Sequence, residues 1–182
     1  MEKIILTALL LGLSASGLHA QQPQTEPTFT EWHDLQTNAV NRFTTHTDFF
    51  AFSPYEGLAL KKYDRKLSTN YLSLDGDWKF NWVEHANQRP TDFFRTDYDD
   101  SQWKTLHVPG IWEMNGYGDP VYVNVGFAWR GNFKNNPPEV PIQDNHVGSY
   151  RRTITIPDTW TGKQVIAHFG SVTSCIYLWV NG

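Results

Sequence analysis

The chain has 182 residues, of which 40% are apolar, 15% aromatic and 19% charged, and its net charge is −4. The 8 Trp, 8 Tyr and 11 Phe are too many for a disordered tail, and a single Cys excludes an internal disulfide and a thiolate zinc site. Mild acidity without a basic block argues against a nucleic-acid partner, which requires clustered Lys and Arg. The composition therefore indicates a packed globular protein.

The first twenty residues have the pattern of an export signal. Lys3 precedes an apolar run over residues 4–13, and Leu18-His19-Ala20 ends the segment on a small residue. The run is too short for a membrane span, which takes roughly 20 apolar residues. The alternative, a buried core helix, is disfavoured because residues 21–27 are polar and contain proline. We therefore predict a signal peptide over residues 1–20 and a periplasmic or secreted mature protein without a membrane anchor.

Residues 21–70 show no sustained apolar period of 2 or 3.6. His, Thr, Asn and aromatic residues are mixed throughout this stretch. We interpret it as an irregular N-terminal arm on a domain surface, with the charged residues 61–66 as a solvated loop.

Four later segments have the pattern of short strands. In residues 76–82, Trp78, Phe80 and Trp82 alternate with polar residues, which predicts a strand with one buried face. The other three segments are 150–156, 164–169 and 175–180. The last is apolar on both faces, so we expect it in the middle of a sandwich, with Cys175 as a buried packing thiol.

Long polar loops separate these strands and favour an all-β fold. The loop over 90–103 contains a predicted helical turn near Phe93 and Phe94, and the loop over 109–145 is rich in Gly, Pro and Asn. Because amphipathic helices are lacking, the pattern indicates an antiparallel β-sandwich. Asn181-Gly182 is the preferred pair of a type I′ hairpin turn, which needs a returning strand. We therefore expect the domain to be truncated at its C-terminus, unless the pair occurs there by chance.

The sequence contains no motif that is typical of metal or phosphate binding. No two of the seven His lie at HxH or HExxH spacing, and Gly116-Tyr117-Gly118 lacks the third glycine and the helix of a phosphate loop. We predict no metal site and no cofactor within this chain.

Acidic residues are also poor candidates for catalysis. A glycosidase needs two carboxyl groups about 5 to 10 Å apart across the sugar. Asp99 and Asp100 are adjacent, and adjacent side chains of an extended chain point apart, so we interpret them as capping a turn before Ser101. Glu113 is the best isolated carboxyl, but no partner is evident. No catalytic residue is predicted.

The loop over residues 116–125 is the best candidate for ligand contact. It places aromatic rings beside the amide of Asn124, which can both donate to and accept from sugar hydroxyls. Aromatic residues in a sandwich also serve as core. The residues alone do not decide whether these aromatic rings contact a ligand or pack in the core.

Six motifs, in one order along the chain, resemble the N-terminal sugar-binding domain of glycoside hydrolase family 2. The resemblance covers roughly residues 31–182, and its Pro-x-Tyr-x-Asn and Asn-Pro-Pro-x-Val-Pro pieces favour the β-galactosidase branch over the β-glucuronidase and β-mannosidase branches. The motifs are Asp99-Asp100-Ser101-Gln102-Trp103, Val108-Pro109-Gly110-Ile111-Trp112-Glu113, the loop from Gly116 to Asn124, Asn136-Pro137-Pro138-Glu139-Val140-Pro141, Asp144-Asn145-His146-Val147-Gly148-Ser149-Tyr150-Arg151-Arg152, and His168-Phe169-Gly170-Ser171-Val172 through Trp179-Val180-Asn181-Gly182.

The resemblance implies a jelly-roll sugar-binding domain over residues 71–182. In the family, two immunoglobulin-like sandwiches and a TIM barrel follow, and the barrel carries both catalytic glutamates, so the catalytic part is absent from this chain. Asn124 matches a loop Asn that contacts galactose, and Tyr122, Pro120 and Gly118 would shape its loop. A second family contact, an Asp, would lie beyond Gly182. Residues 32–35 depart from the family's Trp-Glu-Asn-Pro, so no contact is carried over from them.

The function implied for the complete form is hydrolysis of terminal non-reducing β-galactosides with retention, while this stretch alone is expected to be inactive. The implied partners are the β-galactoside substrate, the missing catalytic barrel and, in some forms, further copies of the protein. Mg²⁺ and Na⁺ are compatible with the complete enzyme. Two alternatives stay open: a stand-alone carbohydrate-binding module, and a structural interface domain of another family 2 glycosidase.

Overall fold

A computed structural model describes residues 31–47, 49–53, 56, 64–120, 139–173 and 175–182. Contacts divide the chain into two units, Met1–Thr44 and Thr45–Gly182. In the described part of the first unit, a 3-10 helix over Glu31–His33 is followed by a turn in which Asp34 accepts hydrogen bonds from the Gln36 backbone N–H and the Thr37 hydroxyl, both at 2.9 Å. These bonds, chiefly the one from Gln36, lower the pKa of Asp34.

The described part of the second unit contains one antiparallel sheet of three strands. These are β1 (Gly76–Val83), β2 (Lys104–Val108) and β3 (Val147–Arg151), in the order β2-β1-β3. Short 3-10 helices at Ala86–Gln88 and Trp112–Asn115 lie in the connections, one at Arg65–Leu67 precedes β1, and one at Asp158–Trp160 follows β3. The predicted all-β antiparallel character is confirmed, whereas the jelly roll and its second layer stay predictions.

The central strand β1 is the element that the sequence indicated best. Phe80 is 1% exposed and lies opposite Lys104 of β2 and Tyr150 of β3. Trp78 pairs with Leu106, which is 3% exposed, so the aromatic face of β1 builds the core as the alternation predicts.

Gly148 lets two aromatic rings approach the backbone of β3. A Cβ at this position would lie 2.6 Å from Cζ3 of Trp112 and 2.8 Å from Cε2 of Phe80. The Phe80 and Trp112 rings stack there, with centroids 6.4 Å apart. The core is therefore closed on this side by the 3-10 helix that carries Trp112.

Arg151, at the end of β3, holds the turn over residues 92–100 against the sheet. Its guanidinium donates to Oδ2 of Asp100 at 2.9 Å, to the Arg95 carbonyl at 2.9 Å and to the Phe93 carbonyl. The predicted turn near Phe93 is confirmed, since the Arg95 N–H donates to the Asp92 carbonyl at 3.1 Å. The predicted cap before Ser101 is confirmed for Asp99, which accepts from its N–H at 2.9 Å, whereas the Asp100 side chain accepts from Arg151 instead.

Three predicted strands differ from the structure. The segment predicted over 150–156 pairs only as far as Arg151, and no strand lies in 164–169 or in 175–180. Those apolar runs have the composition of strands but lack a ladder partner among the described residues, and a strand forms only where neighbours satisfy its backbone groups. The prediction of a buried Cys175 is wrong for the same reason, because Cys175 is exposed.

The last two residues have left-handed backbone. Asn181 and Gly182 have φ of 64° and 96°, the positive values that the Asn-Gly pair predicts.

Across the described ranges, no helix has the length and apolar content needed to cross a bilayer.

Candidate functional site

The candidate ligand loop starts from a capped 3-10 helix. Trp112–Asn115 ends at Gly116, whose φ of 85° and ψ of 24° are left-handed and whose N–H donates to the Trp112 and Glu113 carbonyls. The next N–H, that of Tyr117, donates to the Trp112 carbonyl at 3.2 Å. A glycine is required at this reversal because a side chain disfavours positive φ. The reversal turns Tyr117 back towards the sheet.

Tyr117 belongs to the aromatic core rather than to an open ligand surface. Its ring meets Phe80 edge-on with centroids 4.9 Å apart, and Tyr150 meets Phe80 from another side at 4.7 Å. Burial, and next the charge of Glu113, raise the pKa of Tyr150. For Tyr117, the structure therefore decides between the two interpretations of the loop's aromatic residues in favour of packing.

Gly118 is the best-positioned predicted residue of the loop. It is half-buried with a φ of 70°, and a Cβ would lie 3.1 Å from the His146 ring and 3.3 Å from Trp82. The His146 and Trp82 rings are themselves 5.0 Å apart. Gly118 thus allows the chain to pass directly over two rings that belong to β1 and to the approach of β3.

The remaining predicted residues lie further along the same loop. Pro120 is exposed, so the chain has reached the surface there. Tyr122 and Asn124 lie outside the described residues, and their predicted roles stay predictions. The structure therefore brings Gly118 to the sheet and leaves the proposed sugar contact untested.

Residues 139–146, which precede β3, are also tied to the sheet. The Ala86 N–H donates to the Ile142 carbonyl at 3.1 Å, and the Asp144 N–H donates to Nδ1 of His85 at 3.2 Å. The Asn145 amide donates to the Pro141 carbonyl at 2.9 Å. These bonds position His146 beneath Gly118, so the described residues on either side of 121–138 meet at one point.

Two residues at this point, His146 and Trp82, were not singled out as site residues from the sequence. In the sequence, His146 is one of seven scattered His, and Trp82 belongs to the alternating strand pattern. Their contact joins residues 64 apart in sequence, and no local pattern signals it. Nε1 of Trp82 is buried and has no hydrogen-bond partner within the part of the chain that the structure describes.

The acidic residues that were weighed as catalytic candidates have structural partners. Glu113 accepts a hydrogen bond from the Trp112 indole N–H, and Asp100 accepts one from Arg151. The Ser101 N–H lowers the pKa of Asp99. In the described ranges, no cluster of three or more His, Cys, Asp or Glu could hold a metal ion.

Comparison with known proteins identifies the kind of domain in which this loop lies. The profile of the family described as "Glycosyl hydrolases family 2, sugar binding domain" matches residues 71–182. Similar curated proteins include the β-galactosidases of Halalkalibacterium halodurans and Priestia megaterium, each 36% identical over 82% and 85% of this chain, and that of Streptococcus thermophilus, 34% identical over 87%. The chain spans only 14 to 15% of the length of these three relatives.

Proposed function

The chain belongs to glycoside hydrolase family 2, and from that premise we propose that it is the N-terminal part of an exported β-galactosidase. The observation that carries this proposal is the similarity, along most of the chain, to several proteins named β-galactosidase. The complete form would hydrolyse terminal non-reducing β-galactosides with retention, using two carboxyl groups outside this chain. Export is proposed from the composition of the first twenty residues.

The role proposed for this stretch is to contribute sugar contacts and scaffolding. Asn124 would hydrogen-bond sugar hydroxyls, and Tyr122, Pro120 and Gly118 would shape the loop that presents it. The packing of Gly118 over His146 and Trp82 supports a fixed start for that loop. No cofactor is assigned to this chain, and Mg²⁺ or Na⁺ is proposed only for the complete enzyme.

Replacement of Asn124 tests the sugar contact. In the complete enzyme, Asn124→Ala should lower kcat/KM on a nitrophenyl β-galactoside about five- to 150-fold, because loss of a buried polar contact costs about 1 to 3 kcal/mol. The matched control is Asn87→Ala, an exposed Asn on the Ala86–Gln88 helix, for which we expect no change. An unchanged rate for Asn124→Ala would remove this residue from the site.

A stand-alone carbohydrate-binding module is the second candidate, favoured by the family profile's own description of a sugar-binding domain. Calorimetric titration of the mature chain, residues 21–182, with galactose separates the two. A module binds galactose measurably, whereas part of an enzyme whose site is completed by a barrel binds it weakly or not at all. A third candidate, an interface domain of another family 2 glycosidase, predicts that the complete enzyme does not hydrolyse the nitrophenyl β-galactoside and that Asn124→Ala leaves the hydrolysis of its own substrate unchanged.

A further inference from the structure

The candidate sugar-contact loop begins on two rings that the sheet supplies. A Cβ on Gly118 would lie 3.1 Å from both Cε1 and Nδ1 of His146 and 3.3 Å from Cζ2 of Trp82. The preceding residue, Tyr117, also packs on Trp82, with ring centroids 6.3 Å apart. Two consecutive residues therefore contact these rings before the chain reaches the surface at Pro120.

Both rings are held by the sheet. Trp82 lies in β1 opposite Gly148 of β3, and Val83 lies opposite Val147, the residue that follows His146. The His146 and Trp82 ring centroids are 5.0 Å apart, and both residues are half-buried. Nε1 of Trp82 has no hydrogen-bond partner among the described residues, so ring contacts hold the indole. The position of the two rings thus follows the pairing of β1 with β3.

The turn that precedes His146 is braced from a second side. The Asp144 N–H donates to Nδ1 of His85 at 3.2 Å, and the Asn145 amide donates to the Pro141 carbonyl at 2.9 Å. Asp144 has a φ of 53°, so the chain reverses direction there. Because the ring is attached to a braced turn and a paired strand, it can serve as a fixed support for the chain that crosses it.

We propose that His146 is a positioning residue for the sugar contact: its ring, packed against Trp82, fixes Gly118 and thereby the loop that presents Asn124. His146 does not touch the sugar in this assignment, because it acts through Gly118, which lies six residues before Asn124. A hydrogen bond weakens when its donor or acceptor is displaced, so the ring would set the strength of the contact by where it places the loop. This inference rests on the proposed function, since it takes Asn124 as the contact.

The first test measures the complete enzyme on a nitrophenyl β-galactoside. His146→Ala should lower kcat/KM about threefold or more, but less than Asn124→Ala does, because the amide is displaced rather than removed. His146→Phe keeps a ring and should retain most of the wild-type value. The matched control, His107→Ala, removes an exposed imidazole of β2 that pairs with Asp77, and it should leave kcat/KM unchanged. A wild-type kcat/KM for His146→Ala overturns the proposal.

A double-substitution cycle separates positioning from general damage to the fold. In an enzyme that already carries Asn124→Ala, His146→Ala should lower kcat/KM by less than about twofold, because the contact that the ring positions is gone. A loss of stability would instead act equally with and without Asn124. An equal fold-change in the two backgrounds therefore shows a structural role only and overturns the proposal.

Hydrogen exchange of the complete enzyme measures the loop independently of activity. His146→Ala should speed exchange of peptides covering residues 116–125 at least about fivefold, whereas His107→Ala should not change it. Unchanged exchange over 116–125 in His146→Ala overturns the proposal even in an active enzyme. Faster exchange in an enzyme that does not hydrolyse galactosides supports the positioning role of His146 and counts against the proposed function.

Discussion

Gly116 and Gly118 both have positive φ, but only Gly118 is crowded. A Cβ on Gly116 would meet nothing within 4 Å, whereas one on Gly118 would lie 3.1 Å from His146. The two positions therefore separate the cost of backbone conformation from the cost of close packing. Substitutions at these two glycines also test whether His146 and Trp82 fix the start of the ligand loop.

We predict that Gly118→Ala destabilises the protein more than Gly116→Ala. Gly116→Ala should cost about 1 to 2 kcal/mol, the penalty of left-handed backbone for a residue with a Cβ. Gly118→Ala should cost at least about 1 kcal/mol more, because the rings must move away from the new methyl group. Urea unfolding followed by Trp fluorescence measures both, and equal costs would show that the contact with His146 is loose.

Predictions for single residues succeeded where the determinant is local. The cap of Asp99 on Ser101 spans two residues, so the residue types alone define it. Burial of Cys175 depends on what packs against its segment, and that information is distant in sequence. For Asn124, the resemblance provides a role that the residue types alone leave open.

At the scale of elements, pairing with a neighbouring strand determines where strands form more than residue composition does. β1 was predicted because its alternating aromatic residues match one buried face. β2 was missed because Leu106 is its only buried side chain, and its strand conformation comes from pairing with β1. Residues 164–169 have a stronger strand composition than β2, yet they carry no ladder. Strand propensity is thus realised only where a partner exists.

The junction between β3 and the 92–100 turn gives a prediction at this scale. Side-chain exposure is 20% for Arg151 and 28% for Asp100, and Arg151 also binds two carbonyls. Arg151→Met should cost about 1.5 to 3 kcal/mol, because charged hydrogen bonds in a partly buried site are lost.

The matched control is the exposed pair Arg95–Asp97, with an N–O distance of 3.0 Å and side chains 60% and 70% exposed. Arg95→Met should lower the free energy of unfolding much less than Arg151→Met does, since exposed ion pairs are weak. Chemical denaturation of both variants gives the comparison. If Arg95→Met costs as much as Arg151→Met, burial does not strengthen the Arg151 contacts.

At the scale of the molecule, all the described buried side chains lie between residues 68 and 149. They are Ser68, Phe80, Ala86, Leu106 and Ser149. The stretch after Arg151 instead exposes Ile154, Ile156 and several later aliphatic residues. The alternation over residues 76–82 therefore predicted the position of the core strand, whereas the apolar residues after Arg151 have the composition of strands but no ladder partner among the described residues.

Phe80 is the one large side chain that is fully buried among the described residues, so the core should be sensitive to its removal. Phe80 contacts the rings of Trp112, Tyr117 and Tyr150, so Phe80→Ala should cost about 3 to 5 kcal/mol. That loss is a large share of the roughly 5 to 15 kcal/mol that stabilises an ordinary domain, so the variant should be largely unfolded well below the wild-type midpoint. Phe49→Ala, at a position 65% exposed, should change the free energy of unfolding by no more than about 0.5 kcal/mol. Urea unfolding and near-ultraviolet circular dichroism measure both variants. A Phe80→Ala variant with the wild-type midpoint would mean that the sheet is held by contacts other than this aromatic cluster.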